Sequence, residues 1–106
     1  VPLRRIELHR GALPSKIFEA MACGKPIALA ADGEARRLVE EAEAGICVEP
    51  ENATQMAKAV VTLCDDPALR QRCGTNGRRY AVDHFSREKL AKRLEDFLKR
   101  IAKNAQ

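Results

Sequence analysis

The sequence predicts an α/β fold in which a small parallel sheet is flanked by helices and the chain ends in a long C-terminal helix. Short apolar segments bounded by turn residues, 26–30 and 46–48, indicate buried strands. Segments with the 3.6-residue spacing of helices alternate with these strands and follow them. Because parallel strands need long crossover connections and a parallel sheet normally has several strands, we interpret residues 1–106 as half of a Rossmann-like, doubly wound domain.

The first elements are predicted from apolar spacing and from turn residues. Residues 1–3 are typical of the end of a strand, and the polar residues 4–11 predict a loop. A first helix is expected over 15–23, and the apolar side chains on its inner face are Ile17, Phe18 and Met21. Gly24 suits the position just after this helix, and Pro26 prevents the helix from continuing.

A second helix and a further strand follow. The helix is predicted over 33–44, with Asp32 as its N-terminal cap and Gly45 at its end. Its inner face is expected to consist of Leu38, Val39 and Ala42. The strand over 46–48 is short because Pro50 stops it.

The remaining residues predict three helices. Asn52 can cap the third helix, whose apolar residues repeat with a period of 3.6: Ala53, Met56, Ala57, Val60, Val61 and Cys64. Asp66 and Pro67 predict the start of a fourth helix that reaches residue 81 and is weakened by two internal glycines. Ser86 is expected to cap a separate last helix. The apolar stripe of that helix consists of Leu90, Leu94, Phe97, Leu98 and Ile101.

Length, charge and cysteine usage exclude several classes of protein. At 106 residues the chain is one domain at most, and with no Trp, one Tyr and three Phe its core is expected to be aliphatic. The net charge of +4 is mild and the basic residues stand among acids, which argues against a nucleic-acid surface. No apolar run approaches the ~20 residues of a membrane span, and no signal peptide is recognised. None of the four cysteines shows metal-site spacing, so we expect small buried side chains in a reducing cytoplasm, no metal and no disulfide.

The loop that leads into the first helix is the candidate site. Gly11 and Ala12 are small enough for the backbone to approach a ligand closely. Ser15 and Lys16 stand at the helix start, where unpaired backbone N–H groups and the helix dipole favour a phosphate. Glu19 lies one turn later and can accept hydrogen bonds from hydroxyl groups. A phosphate site, a cation and a hydroxyl acceptor together suit a nucleoside diphosphate sugar.

Simpler explanations exist for each of these residues and for the chain. Glu19 can be an exposed helix glutamate, Ser15 a capping residue and Lys16 a solvated side chain. The whole chain can be a non-catalytic, self-associating α/β module, or an anion-binding or nucleic-acid-binding domain that uses its basic last helix. The sequence singles out no catalytic residue.

Residues 13–27 (Leu-Pro-Ser-Lys-Ile-Phe-Glu-Ala-Met-Ala-Cys-Gly-Lys-Pro-Ile) resemble the donor-binding motif of the retaining, GT-B-fold glycosyltransferases of family 4, or group 1. The similarity continues through 33–34, 44–50, 66–70, 74–78 and 85–88. It therefore spans nearly the whole chain and implies the later half of the C-terminal, donor-binding domain. Such enzymes transfer a sugar from a nucleoside diphosphate sugar to an acceptor hydroxyl by stabilising the departing diphosphate, generally without a bound metal.

The resemblance also assigns roles to two positions. In this family a glutamate at the position of Glu19 holds the ribose hydroxyls of the donor nucleotide. Many members carry a second glutamate eight residues earlier, which contacts the donor sugar, and this chain has Gly11 there. That contact is therefore missing or made differently, which leaves the identity of the donor sugar open.

The resemblance has further implications for partners and location. It implies a saccharide or lipid-linked acceptor in envelope polysaccharide or glycolipid synthesis, and a cytoplasmic enzyme peripheral to the inner membrane. The acceptor domain is absent from these residues, so this chain alone is expected to be inactive. The last helix of a GT-B enzyme crosses towards the other domain. Its apolar stripe and the exposed sheet edge would then lack partners here, and we expect a homodimer or a domain swap.

Overall fold

The computed structural model describes residues 6–11 and 13–104 and confirms an α/β fold. The elements in chain order are β1 (Glu7–Arg10), α1 (Pro14–Ala22), β2 (Ile27–Ala30), α2 (Glu34–Ala42), β3 (Gly45–Val48), α3 (Ala53–Asp65) and α4 (Pro67–Asn104). The three strands form one sheet in the order β1-β2-β3, and both pairings are parallel. The strand predicted over 1–3 lies outside the described residues.

Strand β1 corrects the prediction of a loop over 4–11. It pairs with β2 from Glu7 opposite Ile27 to Arg10 opposite Ala30. It lacks the apolar run of a buried strand because it lies at the edge of the described sheet, where Leu8 is 47% exposed. The Glu7 carboxylate accepts a hydrogen bond from Lys25 Nζ at 2.9 Å, and this contact lowers the pKa of Glu7.

The central strand β2 is buried on both faces and divides the core into two sides. On one face Ile27 and Leu29 pack with the buried residues of α1 and α2. On the other face Ala28 packs with Leu63, and Ala30 packs with Ala59, so α3 covers that side. Helices on both faces are what a parallel sheet requires.

Three glycines and one glutamate lie at the turns around α1 and α2, and their positions differ in part from those that the sequence predicted. Gly24 has a φ of +73° just after α1, as predicted. The N-terminal cap of α2 is Gly33 rather than Asp32, and the left-handed residue after α2 is Glu43 rather than Gly45. Gly45 lies inside β3 instead, because a Cβ there would meet the backbone of Ile27, at 2.6 Å from its carbonyl carbon. Gly45 therefore permits the close approach of β3 to β2 and does not end α2.

The predicted cap of α3 is confirmed by its geometry. Asn52 Oδ1 accepts a hydrogen bond from the backbone N–H of Gln55 at 2.9 Å. Replacement of Asn52 by Ala removes this bond, and we expect the free energy of unfolding to fall by about 1 kcal/mol. Urea unfolding measures the change, and Asn52→Ser, which retains an N-terminal capping side chain, should recover most of the loss. An unchanged midpoint for Asn52→Ala would contradict the role of this cap.

Helix α4 is continuous, whereas the sequence predicted a break before Ser86. Neither Gly nor Pro occurs between residues 78 and 104, so nothing stops the helix there. The glycines that were expected to weaken it, Gly74 and Gly77, are buried packing positions: a Cβ on Gly77 would lie 3.1 Å from Ala44 Cβ. The prediction of a long C-terminal helix is confirmed, and this helix is longer than expected.

Two further expectations concern cysteines and membrane spans. Cys73 is buried as expected, but Cys23 is exposed because it follows the end of α1, outside the packed face. Cys47 and Cys64 are partly buried, and burial raises the pKa of the Cys47 thiol to about 11. No helix within residues 6–11 and 13–104 is long and apolar enough to cross a bilayer.

Candidate functional site

The candidate site begins where the chain leaves the carboxyl end of β1 and enters α1. Pro14 is the first helical residue, and Leu13 is the cap residue but makes no side-chain capping bond. The Lys16 N–H donates to the Leu13 carbonyl at 3.0 Å, and the Ile17 N–H donates to the same oxygen at 3.3 Å. Among the described residues, neither the Leu13 N–H nor the Ser15 N–H has a backbone partner. Fewer donors are therefore available to a phosphate than the sequence suggested, because Pro14 has no N–H and that of Lys16 is already used.

The three predicted side chains of α1 lie together on one side of the helix. Ser15 and Lys16 precede Glu19 by four and three residues, so all three share a face. All three are exposed. The opposite face of α1 is buried, and its buried residues are Ile17, Ala20 and Met21. The packing of α1 therefore leaves a hydroxyl, an ammonium group and a carboxylate exposed on one face of the helix.

Gly11 lies at the carboxyl edge of the sheet and lines a cleft of about 430 Å³. Its φ is +66°, and a Cβ there would meet no described atom within 4 Å. Its N–H donates to the Ala30 carbonyl at 3.1 Å and continues the β1–β2 pairing by one residue. Ligands of open parallel sheets bind beyond the carboxyl ends of the strands, so the cleft has the expected location for a binding site. Ala12, the remaining predicted residue, lies outside the described residues.

Three charged residues also line this cleft and were missed as site residues: Arg10, Asp32 and Glu51. Each follows or ends a different strand, which is the sequence signal that could have identified them. Asp32 lies 3.6 Å from Arg36, whereas Arg10 has no carboxylate within 4 Å among the described residues. Arg10 and Glu51 also line a smaller neighbouring cleft of about 270 Å³ against the start of α3.

The structure therefore separates the predicted residues into two groups. Ser15, Lys16 and Glu19 share the exposed face of α1, and Gly11 belongs to the strand-end cleft. None of the three α1 side chains lines that cleft or its smaller neighbour. Within residues 6–11 and 13–104, no group of three or more His, Cys, Asp or Glu residues is arranged to hold a metal ion. The arrangement therefore consists of an exposed polar face on α1 and a separate polar cleft at the carboxyl end of the sheet.

A protein-family model matches most of the chain. The family model described as "Glycosyl transferases group 1" matches residues 6–80. The matched range runs from the residue before β1 into the first half of α4, and it contains both the cleft residues and the exposed face of α1.

Curated relatives are similar to this chain at low to moderate identity. A GDP-mannose-dependent monoacylated alpha-(1-6)-phosphatidylinositol monomannoside mannosyltransferase of Corynebacterium glutamicum is 32% identical over 81 residues, which are 76% of this chain and 21% of the relative. An uncharacterized glycosyltransferase of Methanocaldococcus jannaschii is 24% identical over 91 residues, 86% of this chain and 23% of the relative. The alpha-D-kanosaminyltransferase of Streptomyces kanamyceticus is 37% identical over 60 residues, 57% of this chain and 16% of the relative. The aligned part of the chain spans about a fifth of each relative, and no solved structure matches it.

Proposed function

The chain belongs to the group 1 glycosyltransferases, and we propose that it forms part of the donor site of an enzyme that transfers a sugar from a nucleoside diphosphate sugar to an acceptor hydroxyl. The observation that carries this proposal is the shared exposed face of Ser15, Lys16 and Glu19 at the start of α1. We expect this chain by itself to be inactive, because the family resemblance assigns the acceptor site to the other domain of the enzyme. The complete enzyme works in the cytoplasm.

The start of α1 would hold the diphosphate of the donor. The Ser15 N–H and the positive end of the helix dipole attract a phosphate, and Lys16 adds a mobile positive charge. Negative charge accumulates on the diphosphate as the bond to the sugar breaks, so these groups stabilise the transition state more than the bound donor. Stabilisation of the leaving group in this way suits a retaining transfer that needs no resident metal.

Glu19 would hold the ribose of the donor. It lies one helical turn beyond the phosphate position, on the same exposed face. An ionised carboxylate accepts hydrogen bonds at both oxygens, which matches the pair of ribose hydroxyls. The start of this face would therefore hold the diphosphate of the donor, and Glu19 at its other end would hold the ribose.

The donor sugar would occupy the strand-end cleft. Gly11 offers no side chain there, and Asp32 and Glu51 supply carboxylates that can accept hydrogen bonds from sugar hydroxyls. The acceptor would be a saccharide or a lipid-linked molecule of the cell envelope. In support, the Corynebacterium relative is named for a phosphatidylinositol mannoside.

Calorimetric titration tests the donor site. UDP, GDP and their sugar conjugates are titrated into the chain, and we expect saturable binding of one nucleobase series. Binding of neither series would contradict a site complete within these residues. The same titration with a longer protein that includes the remainder of the enzyme then decides whether the site itself is wrong.

A second candidate function is a non-catalytic, self-associating module, and the edge strand favours it. Strand β1 has β2 on one side and no strand on the other among the described residues, and its Leu8 is half exposed. Unpaired strand edges invite pairing with another chain, so we expect a homodimer or a domain swap at high concentration. Light scattering measures the mass, and Leu8→Lys should shift the chain towards monomer. A monomeric wild-type chain at high concentration would contradict this prediction.

A further inference from the structure

Glu51 lines the strand-end cleft and also the smaller cleft next to it. Arg10 is the other charged residue that the two clefts share, so the two side chains stand where these spaces adjoin. Their charged atoms do not come within 4 Å of each other, and neither side chain forms a hydrogen bond or an ion pair with any residue that the structure describes. The edge of the cleft therefore carries one free donor and one free acceptor.

The other groups of the cleft leave Glu51 as its available carboxylate. Asp32 is partly neutralised, because its carboxylate lies 3.6 Å from the guanidinium of Arg36 in the first turn of α2. Gly11 contributes no side chain, and a Cβ there would meet no described atom within 4 Å. The space above Gly11 is therefore open to a ligand, and Glu51 is free to contact it.

The backbone of Glu51 gives a second, independent observation. Its φ is +62°, a left-handed angle that a residue with a Cβ adopts at a cost. The Asn52 N–H donates to the Glu49 carbonyl at 3.3 Å, which closes a four-residue turn with Pro50 and Glu51 at its central positions. Proline at the second position and a positive φ at the third are features of a type II turn, in which the third residue is usually glycine. Glycine would form this turn more easily, so the turn itself does not account for the glutamate.

Two free groups of opposite charge favour a neutral ligand that carries hydroxyl groups. A hydroxyl can donate to the Glu51 carboxylate and accept from the Arg10 guanidinium. A carboxylate on the ligand would be repelled by Glu51, and an ammonium group would be repelled by Arg10. Polar groups that stay unpaired when the wrong ligand enters discriminate strongly between ligands.

We propose that Glu51 selects a neutral sugar as the donor sugar of this enzyme. Its carboxylate accepts a hydrogen bond from one sugar hydroxyl, and Arg10 donates to the oxygen of a neighbouring hydroxyl. The glutamate then destabilises the turn and contributes specificity in the cleft. The inference rests on the proposed donor site, because it requires the sugar to enter the strand-end cleft.

Calorimetric titration of the full chain tests the role of Glu51. The probes are UDP and GDP, the glucose conjugate of UDP, the mannose conjugate of GDP, and the corresponding uronate conjugates. Glu51→Gly should weaken binding of the neutral conjugate about tenfold, as expected for one lost hydrogen bond to a charged group, and leave binding of the bare diphosphate unchanged. It should also bring the affinity for the uronate conjugate closer to that for the neutral one, because the repelling carboxylate is gone.

Glu43→Gly provides a closely matched comparison. Glu43 is also an exposed glutamate in a left-handed conformation, with a φ of +55°, but it lies at the end of α2 and lines neither cleft. This variant removes the same charge, and we expect it to bind every probe as the wild type does. Urea unfolding should show that neither variant is less stable than the wild type, because glycine relieves the backbone at both positions.

Three outcomes would overturn the inference. Equal affinities of Glu51→Gly and Glu43→Gly for the neutral conjugate, alongside wild-type binding, would remove Glu51 from the sugar site and leave the proposed function intact. Equal or tighter wild-type binding of the uronate conjugate would show that the cleft does not select a neutral sugar. Binding of no probe by the wild-type chain would contradict a donor site within these residues, and this inference with it. A loss that is selective for the neutral conjugate and for Glu51→Gly supports the inference.

Discussion

Replacement of Gly74 by Ala is expected to lower the free energy of unfolding by about 2 kcal/mol, the cost of overpacking a tightly packed contact. In an ordinary helix interior the same substitution raises stability by about 1 kcal/mol. The sign reverses here because Gly74 lies directly against the turn after α1. A Cβ at this position would meet the carbonyl group of Gly24, at 3.3 Å from its carbon and closer to its oxygen. Backbone atoms cannot rotate away, so α4 or the turn has to shift.

Substitutions at two other positions of α4 provide the comparison that this prediction needs. Gly77→Ala should cost less, because its Cβ would meet the side chains of Ala44 and Met21, and the methionine can adjust. Thr75→Ala is the exposed control and should not lower stability. Urea unfolding of the three variants measures the order of their free energies of unfolding. If Gly74→Ala were as stable as Thr75→Ala, the close contact between α4 and the turn at Gly24 would be wrong.

The contact between Gly74 and Gly24 also explains why the sequence predicted a weaker and shorter helix than α4. Glycine in a helix reads as a weak point when only the local chain is considered. The stabilising partners of Gly74 and Gly77 are about 50 and 30 residues away in sequence, so local spacing cannot reveal them. Asn76 adds another distant contact, because its Nδ2 donates to the Glu43 carbonyl at the end of α2, at 3.1 Å. Helix α4 therefore packs against the C-terminal ends of α1 and α2 through its glycine-containing segment.

Apolar patterns predicted the interior of the fold well and its boundaries less well. Helix α1, strand β2 and helix α3 were predicted to within a residue or two, because their buried faces repeat with a clear period. Strand β1 was missed because an edge strand with Glu7 and His9 lacks an apolar run. The left-handed turn at Glu43 was missed because glutamate rarely adopts a positive φ, and Gly45 was the more obvious candidate.

The candidate site was predictable in part for similar reasons. Ser15, Lys16 and Glu19 share a face because helical spacing alone places them together. The strand-end cleft joins residues from three separate connections, such as Arg10 and Glu51, and only the parallel pairing of the strands brings them near one another. Sequence reasoning therefore placed three candidate residues on one face of α1 and included Gly11, but it missed the charged residues that the sheet brings to the cleft.

In a protein that contains the complete donor site, loss of the Glu19 carboxylate is expected to weaken nucleotide binding by about a hundredfold. Hydrogen bonds to a charged group contribute about 1.5–3 kcal/mol each, and two ribose hydroxyls would lose theirs in Glu19→Ala. A tenfold change in affinity corresponds to about 1.4 kcal/mol, so loss of both bonds gives at least that reduction. Glu19→Gln keeps one carbonyl acceptor without the charge and should fall between wild type and Glu19→Ala. Calorimetric titration with the preferred nucleoside diphosphate measures all three.

The matched control is Glu88→Ala, which removes an exposed helix glutamate on the distal half of α4. It changes the net charge equally, so it corrects for the long-range effect of one lost negative charge on a polyanionic ligand. We expect its affinity to stay near that of the wild type, and we expect neither variant to change the unfolding midpoint, because both side chains are exposed. Equal affinities for Glu19→Ala and Glu88→Ala, alongside saturable wild-type binding, would remove Glu19 from the ribose site and leave the phosphate position at Ser15 and Lys16 to be tested separately. A selective loss in Glu19→Ala would assign the exposed face of α1 to the donor nucleotide, because the Glu19 side chain is exposed and its removal leaves the buried face of α1 intact.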